Sequence, residues 1–343
     1  MKLKIYLTLL FLSTIGYSNS QNFKNASEYL DFVGKEHKTI TRSTWNYTKA
    51  VAHSKNDRTI RGKRNVLIKT VQRSITKIQK ADGYEGDDYK NKVLNHLNFN
   101  LNLLNHDYAK IVDMKEIAEQ SYDLMEAYML AQELADKKME EAQQQYEIDF
   151  YAYANKHNIS IIEGDTDLGK KMKISNEVFK HYNDMYLTYF KVYINEVHLM
   201  DALEKSDVGA IEQSANALSE TAKEGLDKLT TLKVYKGDKS IIYITKELFE
   251  FFKDEAENKV PKLIDFLLLN ENFKTIKNTL DKTPERKRTK EQVNNYNEQV
   301  KLLNKGVKDY NKLNAELNKK RGLLINKLNG ANQRFLAKHI PKE

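Results

Sequence analysis

Residues 293–328 read VNNYNEQVKLLNKGVKDYNKLNAELNKKRGLLINKL. Val293, Tyr296, Val300, Leu303, Val307, Tyr310, Leu317, Leu324 and Leu328 recur in steps of three and four, which lays one apolar stripe along a helix. The pattern approaches a seven-residue repeat, broken by Asn314 and Arg321 where the seam would otherwise be apolar. Polar residues buried in such a seam fix register and pairing at some cost in stability. A helix over about 289–337 is about 70 Å long at 1.5 Å per residue. A helix of that length needs partners of comparable length, so the stripe predicts an all-α fold: an elongated antiparallel bundle of long helices with coiled-coil-like packing and short loops at its ends.

Composition points the same way. Glycine and proline number 13 and 3 in 343 residues, under half of their usual share of about 12%. A β-sandwich or an α/β enzyme needs those residues for its turns. Apolar residues recur at helical spacing over 26–53, 58–80, 89–108, 171–204 and 240–282. Trp45, the sole tryptophan, lies in the first of these. Gly83 and Gly86 mark a loop at 81–88, and a connection follows at 155–169 whose residues 159–162 are the one β-like run. Ser206 or Asp207 opens a shorter helix through Leu232. The next helix starts near Ser240, bends at Pro261 and ends at Thr283 and Pro284. Asp113 and Glu116 have the spacing of a capping pair, so 89–155 reads either as two helices or, lacking any glycine or proline between them, as one.

The chain starts with Lys2 and Lys4, an apolar run over 5–15, and small residues Ser18 and Ser20 before Gln21. This predicts a secretory signal peptide, residues 1–20, cut after Ser20. The remainder, 21–343, is expected to form a single elongated helical domain without a permanent membrane anchor. The formal charge of +8 falls to about +6 once Lys2 and Lys4 are removed, too small a surplus for a nucleic-acid binder. With no cysteine, the exported chain has neither disulfides nor a thiol nucleophile.

Charge is unevenly distributed. Thirteen Lys or Arg face only Glu36 and Asp57 between residues 35 and 80, whereas eleven acids face three lysines between 113 and 149. A basic helix pair packed beside an acidic helix explains this. The alternative is a basic face for an acidic partner such as a surface polysaccharide or anionic lipid. Arg286, Lys287, Arg288 and Lys290 form a second cluster, as a solvated interhelical loop would.

No motif carries chemistry. Residues 164–170, GDTDLGK, have P-loop spacing, but Lys171 replaces the hydroxyl that would hold magnesium, and Asp165 and Asp167 repel phosphate. A helix-capping turn is the better reading. No histidine has a Glu three residues before it, as a di-iron bundle requires. Glu177 and His181 share a helix face with His198 further on; a metal bridging the three is one reading, and an exposed acid–imidazole pair beside the aromatic stripe Phe179, Tyr182, Tyr186, Tyr189, Phe190 and Tyr193, itself a core stripe, is the favoured one. There is no nucleophile elbow, and no carboxylate pair stands out among 48 acids. The sequence therefore nominates no catalytic, cofactor-binding or metal-ligating residue.

Residues 118–128 (AEQSYDLMEAY), 254–261 (DEAENKVP) and 317–321 (LNKKR) resemble a family of uncharacterised, exported, all-helical bacterial surface proteins. That resemblance implies location and shape, and transfers no functional residues. The expectation is a non-catalytic helical protein of the cell envelope or surface, structural or binding in role, with a protein or glycan partner. Two alternatives are a membrane-active protein that inserts residues 241–269, with Phe249, Phe251, Phe252 and Phe266, and a carboxylate-dependent hydrolase.

Overall fold

The computed structural model describes residues 23–54, 56–162 and 166–342, so the expected signal peptide lies outside the described residues. The protein is 87% helical. Among the described residues, a lone bridge between Tyr235 and Asp238 is the only β pairing. The helices are α1 (Ala26–His53), α2 (Asp57–Lys80), α3 (Asp88–Asn102), α4 (Tyr108–Ala118), α5 (Tyr122–Lys156), α6 (Asp167–Lys205), α7 (Val208–Thr231), α8 (Ser240–Asp254), α9 (Val260–Lys282) and α10 (Lys290–His339). Two π-helical turns, Leu103–Asp107 and Glu255–Lys259, join α3 to α4 and α8 to α9.

Short polar side chains set most of the starts. Asn25, Asn56, Ser121, Thr166, Asp207 and Thr289 each accept a hydrogen bond from a first-turn amide. Such a cap satisfies a donor that has no partner inside the helix. Thr289 and Gln292 complete a reciprocal capping box. Thr166 makes the end of the P-loop-like segment a helix cap, while Gly164 and Asp165 lie outside the described residues. The expected capping pair at Asp113 and Glu116 does not open a helix. Position 113 is inside α4, and the break comes after Ala118, with Ser121 as the cap. The helix runs on through 113 because Ile111 and Ala118 are both buried by continuing it. The stretch 89–155 is thus divided once by a π turn and once by a true break.

The run 159–162 is not a strand. Ile159 and Ile161 pack against the first core, while Ile162 is 97% exposed. In the loop before α3, a Cβ on Gly83 would stand 2.1 Å from the Gly86 carbonyl oxygen, so only glycine allows that close approach.

Two large cores form. The first joins α1, α2, α3 and the end of α5 through Tyr29, Val33, Val71, Ile78, Val93, Leu97 and Tyr153. The second joins α6 to α10 through Leu199, Leu218, Phe249, Phe252, Leu324 and Phe335, and takes in Trp45 of α1. A smaller group, Ala118 and Met125 with Phe190 and Ile194, links α4 and α5 to α6. The aromatic stripe of α6 serves both sides: Phe179, Tyr182 and Tyr189 pack on the second core, and Tyr186 and Tyr193 on the linking group.

The α8–α9 unit lies antiparallel to α10. Contacts run Phe273–Tyr296, Phe266–Tyr310, Glu255–Arg321, Glu247–Lys327 and Asp238–Lys338. The α10 stripe is buried only in its C-terminal part, at Leu317, Leu324, Leu328, Ala331 and Phe335. Val293 and Val307 remain 38% and 39% exposed, and Asn314 is only partly buried, donated to by Asn318. The ring contacts of α10's first half are with α9, so the stripe there is covered from one side only.

Candidate functional site

Arg321, the seam residue of α10, lies largely enclosed beside two buried acids from different elements. Its Nε meets the carboxylate of Glu196 on α6, and its Nη2 donates to Glu255 at the start of the second π turn. Nη1 donates to Asn318 one turn earlier. The side chains of Glu196, Glu255 and Arg321 are 2%, 1% and 11% exposed. The segments 254–261 and 317–321 thus meet here, through Glu255 and Arg321.

The π turn explains how Glu255 gets there. Pro261 has no N–H for the carbonyl four residues back, which disrupts the regular ladder. The chain widens just ahead of it, and the Val260 amide bonds Glu255 O in the wider pattern. The predicted bend at Pro261 is realised as this widening. Glu255 turns inward, while Glu257 points to α7, accepting from Ser219 at 2.8 Å and pairing with Lys223 at 3.1 Å.

Electrostatically the cluster holds two carboxylates against one guanidinium. Burial pushes the carboxyl of Glu196 well above the ordinary glutamate range, and the neighbouring Glu255 pushes it further, with Arg321 opposing both. Burial raises Glu255 too, again against the pull of Arg321. Both oxygens of Glu196, Glu255 Oε2 and Arg321 Nε are buried without a hydrogen bond, so Arg321 meets Glu196 as an ion pair. One proton shared by the pair would bring the charge to neutrality. Because so little of either acid reaches solvent, the arrangement suits register-setting between α6, the π turn and α10 better than chemistry on an outside substrate.

Sequence reasoning singled out Arg321 but missed Glu196. The signal was present: Glu196 sits four residues after Val192 and three before Leu199, inside the buried stripe of α6. An acid on one apolar stripe and an arginine on another are natural partners.

The first core carries a different polar group. His37, His96 and Tyr146 stack, with ring centroids 5.4 Å apart for the histidines and 4.1 Å between His37 and Tyr146. His96 contacts Ala142 O and Asn100 at 3.0 Å each. Burial and the neighbouring His96 lower the His37 imidazole to about 4, and burial lowers His96 as well. At the first π turn, Arg64 of α2 donates to Leu104 O, and Tyr108 donates to Asp136 of α5.

The other candidates are dispersed. His181 packs on Phe335 and Tyr235, whereas Glu177 and His198 are exposed, and His198 lies about 25 Å further along α6. Among the described residues no group of three His, Asp or Glu side chains could hold a metal ion. Arg286 and Lys287 lie in a short 3₁₀ turn, and Arg288 donates to Thr283 O at 3.0 Å. Phe249, Phe251 and Phe252 are buried in the second core and Phe266 rests on Tyr310, so membrane insertion of 241–269 would require dismantling that core. Among the described residues, no helix is long and apolar enough to cross a membrane.

Among the described residues, no cation of α1 or α2 makes a salt bridge to an acid of α5. Among the described residues, Lys77 to Glu36 at 2.7 Å is the salt bridge made by α1 and α2 cations, while Asp149 of α5 pairs with Lys92. Compared with known protein families, with curated proteins and with solved structures, the chain matches none.

Proposed function

We propose that this chain is an exported, non-catalytic helical protein of the cell envelope or surface that binds a partner along its helix faces. The observation that carries the reading is the division of charge. Two strongly perturbed acids, Glu196 and Glu255, are enclosed around Arg321, whereas most cations of α1 and α2 stand open to solvent. Groups fit for chemistry are internal, and groups fit for a broad surface contact are external. Export is supported by residues 1–20 and by the family resemblance. An elongated form is supported by the length of α10, whose 50 residues span about 75 Å.

Protease shaving of intact cells, with immunoblotting and N-terminal sequencing of the product, tests this. A mature chain starting at Gln21 that disappears from unbroken cells supports a surface protein. Protection until the outer barrier is opened places it in the periplasm with an envelope partner. A chain retaining Met1 and found with the cytosol overturns the proposal.

A further inference from the structure

The face of α2 turned away from the core is strongly one-sided in charge. The helix has eight cations and a single acid, Asp57. Lys77 is taken by Glu36, and Arg64 by the Leu104 carbonyl. Arg58, Arg61, Lys63, Lys69, Arg73 and Lys80 are all exposed, and among the described residues none makes a salt bridge.

Helical spacing orders them. At 100° per residue, Arg58, Lys69, Arg73 and Lys80 fall within a sector of about 60°. Leu67, Val71 and Ile78, buried in the first core, lie opposite. From 58 to 80 the track is about 33 Å long. On α1, Lys35, Lys38 and Arg42 occupy a similar sector, opposite Leu30 and Val33, and all three are exposed. Like charges gathered this way repel one another, at a cost to the fold that an anionic ligand would remove.

We infer that the outward faces of α1 and α2 form a docking track for a linear anionic polysaccharide bearing carboxylate or sulfate groups. The residues between the cations favour that partner over a lipid surface. A helix that lies in a membrane interface flanks its basic residues with apolar side chains that sink into the acyl region. Here the exposed residues between them are Thr59, Gly62, Asn65, Gln72 and Thr76, and Val66 is the large hydrophobic residue of α2 that is exposed. Those amides and hydroxyls suit sugar hydroxyls. A track this long matches an extended polymer, which can set several anions along it. The choice of a polysaccharide over a nucleic acid rests on the export reading above, whereas the charged track itself does not depend on it.

Purified protein is titrated with alginate, heparin, neutral dextran and phosphatidylglycerol vesicles at several salt concentrations. The expected result is binding to alginate or heparin that weakens steadily with salt, no binding to dextran, and weaker binding to vesicles. Replacing Arg58, Lys69, Arg73 and Lys80 together with Gln should lower the affinity at least tenfold. A second variant, with Lys35, Lys38 and Arg42 replaced by Gln, should lower it severalfold. The same charge removed from α10, at Lys301, Lys305, Lys308 and Lys312, should change it less than twofold, with circular dichroism confirming full helicity in all three. No binding at low salt, an equal loss in the α10 variant, or a preference for vesicles would each overturn the inference. Cell fractionation reads the export proposal separately, so either can fail alone.

Discussion

In the first core, around α1, α3 and α5, the titratable groups stacked at the centre are imidazoles, the half-buried His37 and the buried His96, held neutral against Tyr146, while the buried acid Glu36 nearby accepts from Ser74 and pairs with the exposed Lys77. In the second core, around α6, the π turn and α10, they are carboxylates, Glu196 and Glu255, held by Arg321. The two π turns show the same contrast. Arg64 meets the first through an uncharged carbonyl, Leu104 O, whereas Arg321 meets the second through a buried carboxylate. An arginine on a carbonyl keeps its charge near water and costs little to place. An arginine between two buried acids depends on both partners remaining, because any one left alone is an uncompensated charge in a poorly polarisable interior.

The largest expected effect follows from that dependence. Arg321→Met should destabilise the fold by about 3–5 kcal/mol, seen as a lower denaturant midpoint. Arg321→Lys should recover only part, since an ammonium cannot fork between two carboxylates. Replacing Glu196, Glu255 and Arg321 together with Met should be far milder than Arg321→Met alone. If the triple variant is instead the worst of the three, the cluster does more than fix register. Arg64→Met, the matching change in the other half, should cost only about 1–2 kcal/mol.

Acidity should drive the two halves apart. His37 is lowered from 6.5 to about 4 in the folded state, so the unfolded chain binds more protons in that window. The first core therefore loses stability as pH falls from 6.5 toward 4. Asp136, raised by burial, partly offsets this. Glu196 and Glu255 are raised above 4.5, so the folded chain binds more protons there. The second core therefore loses stability as pH rises from 4.5 through neutrality. Each tenfold difference in proton affinity between the folded and unfolded chain corresponds to about 1.4 kcal/mol. Hydrogen exchange at pH 5 and pH 7.5, corrected for intrinsic rates, should show α1 and α3 loosening at the acid end and α6 and α10 at the neutral end. Parallel changes in both halves would refute the contrast, and Glu196→Gln should flatten the second response only.

What the sequence disclosed depended on how local the physics was. Helix identity was readable because periodicity acts within four residues, and the start of α7 because its cap Asp207 does too. Arg321 was readable as a break in a seven-residue pattern. Glu196 was visible only as an acid on the apolar stripe of α6, and its pairing with Arg321 and Glu255 was not, since that needs the register of three elements far apart in the chain. Asn314, by the same seam rule, was expected to be buried and is not, because α10 is covered on one side there. The widened turn at Glu255–Lys259 was visible only as a proline, and the acid it turns inward could not be chosen from sequence.

Two glycines give the finest version of the comparison. Gly225 of α7 lies in the second core, where a Cβ would stand 2.6 Å from Phe249 Cε2 and 3.1 Å from Val192 Cγ2. Phe249 is fully buried, so Gly225→Ala should cost about 1–3 kcal/mol despite alanine's better helix propensity. Gly62 of α2 has nothing within 4 Å of such a Cβ, and its helical backbone suits alanine. Gly62→Ala should therefore raise stability by about 0.4–1 kcal/mol, mainly by restricting the unfolded chain. Thermal melts of the two variants should move in opposite directions. A stabilised Gly225→Ala would mean that the second core is loose enough to shift its phenylalanine, and the large penalty expected for Arg321→Met would then need to be revised downward as well.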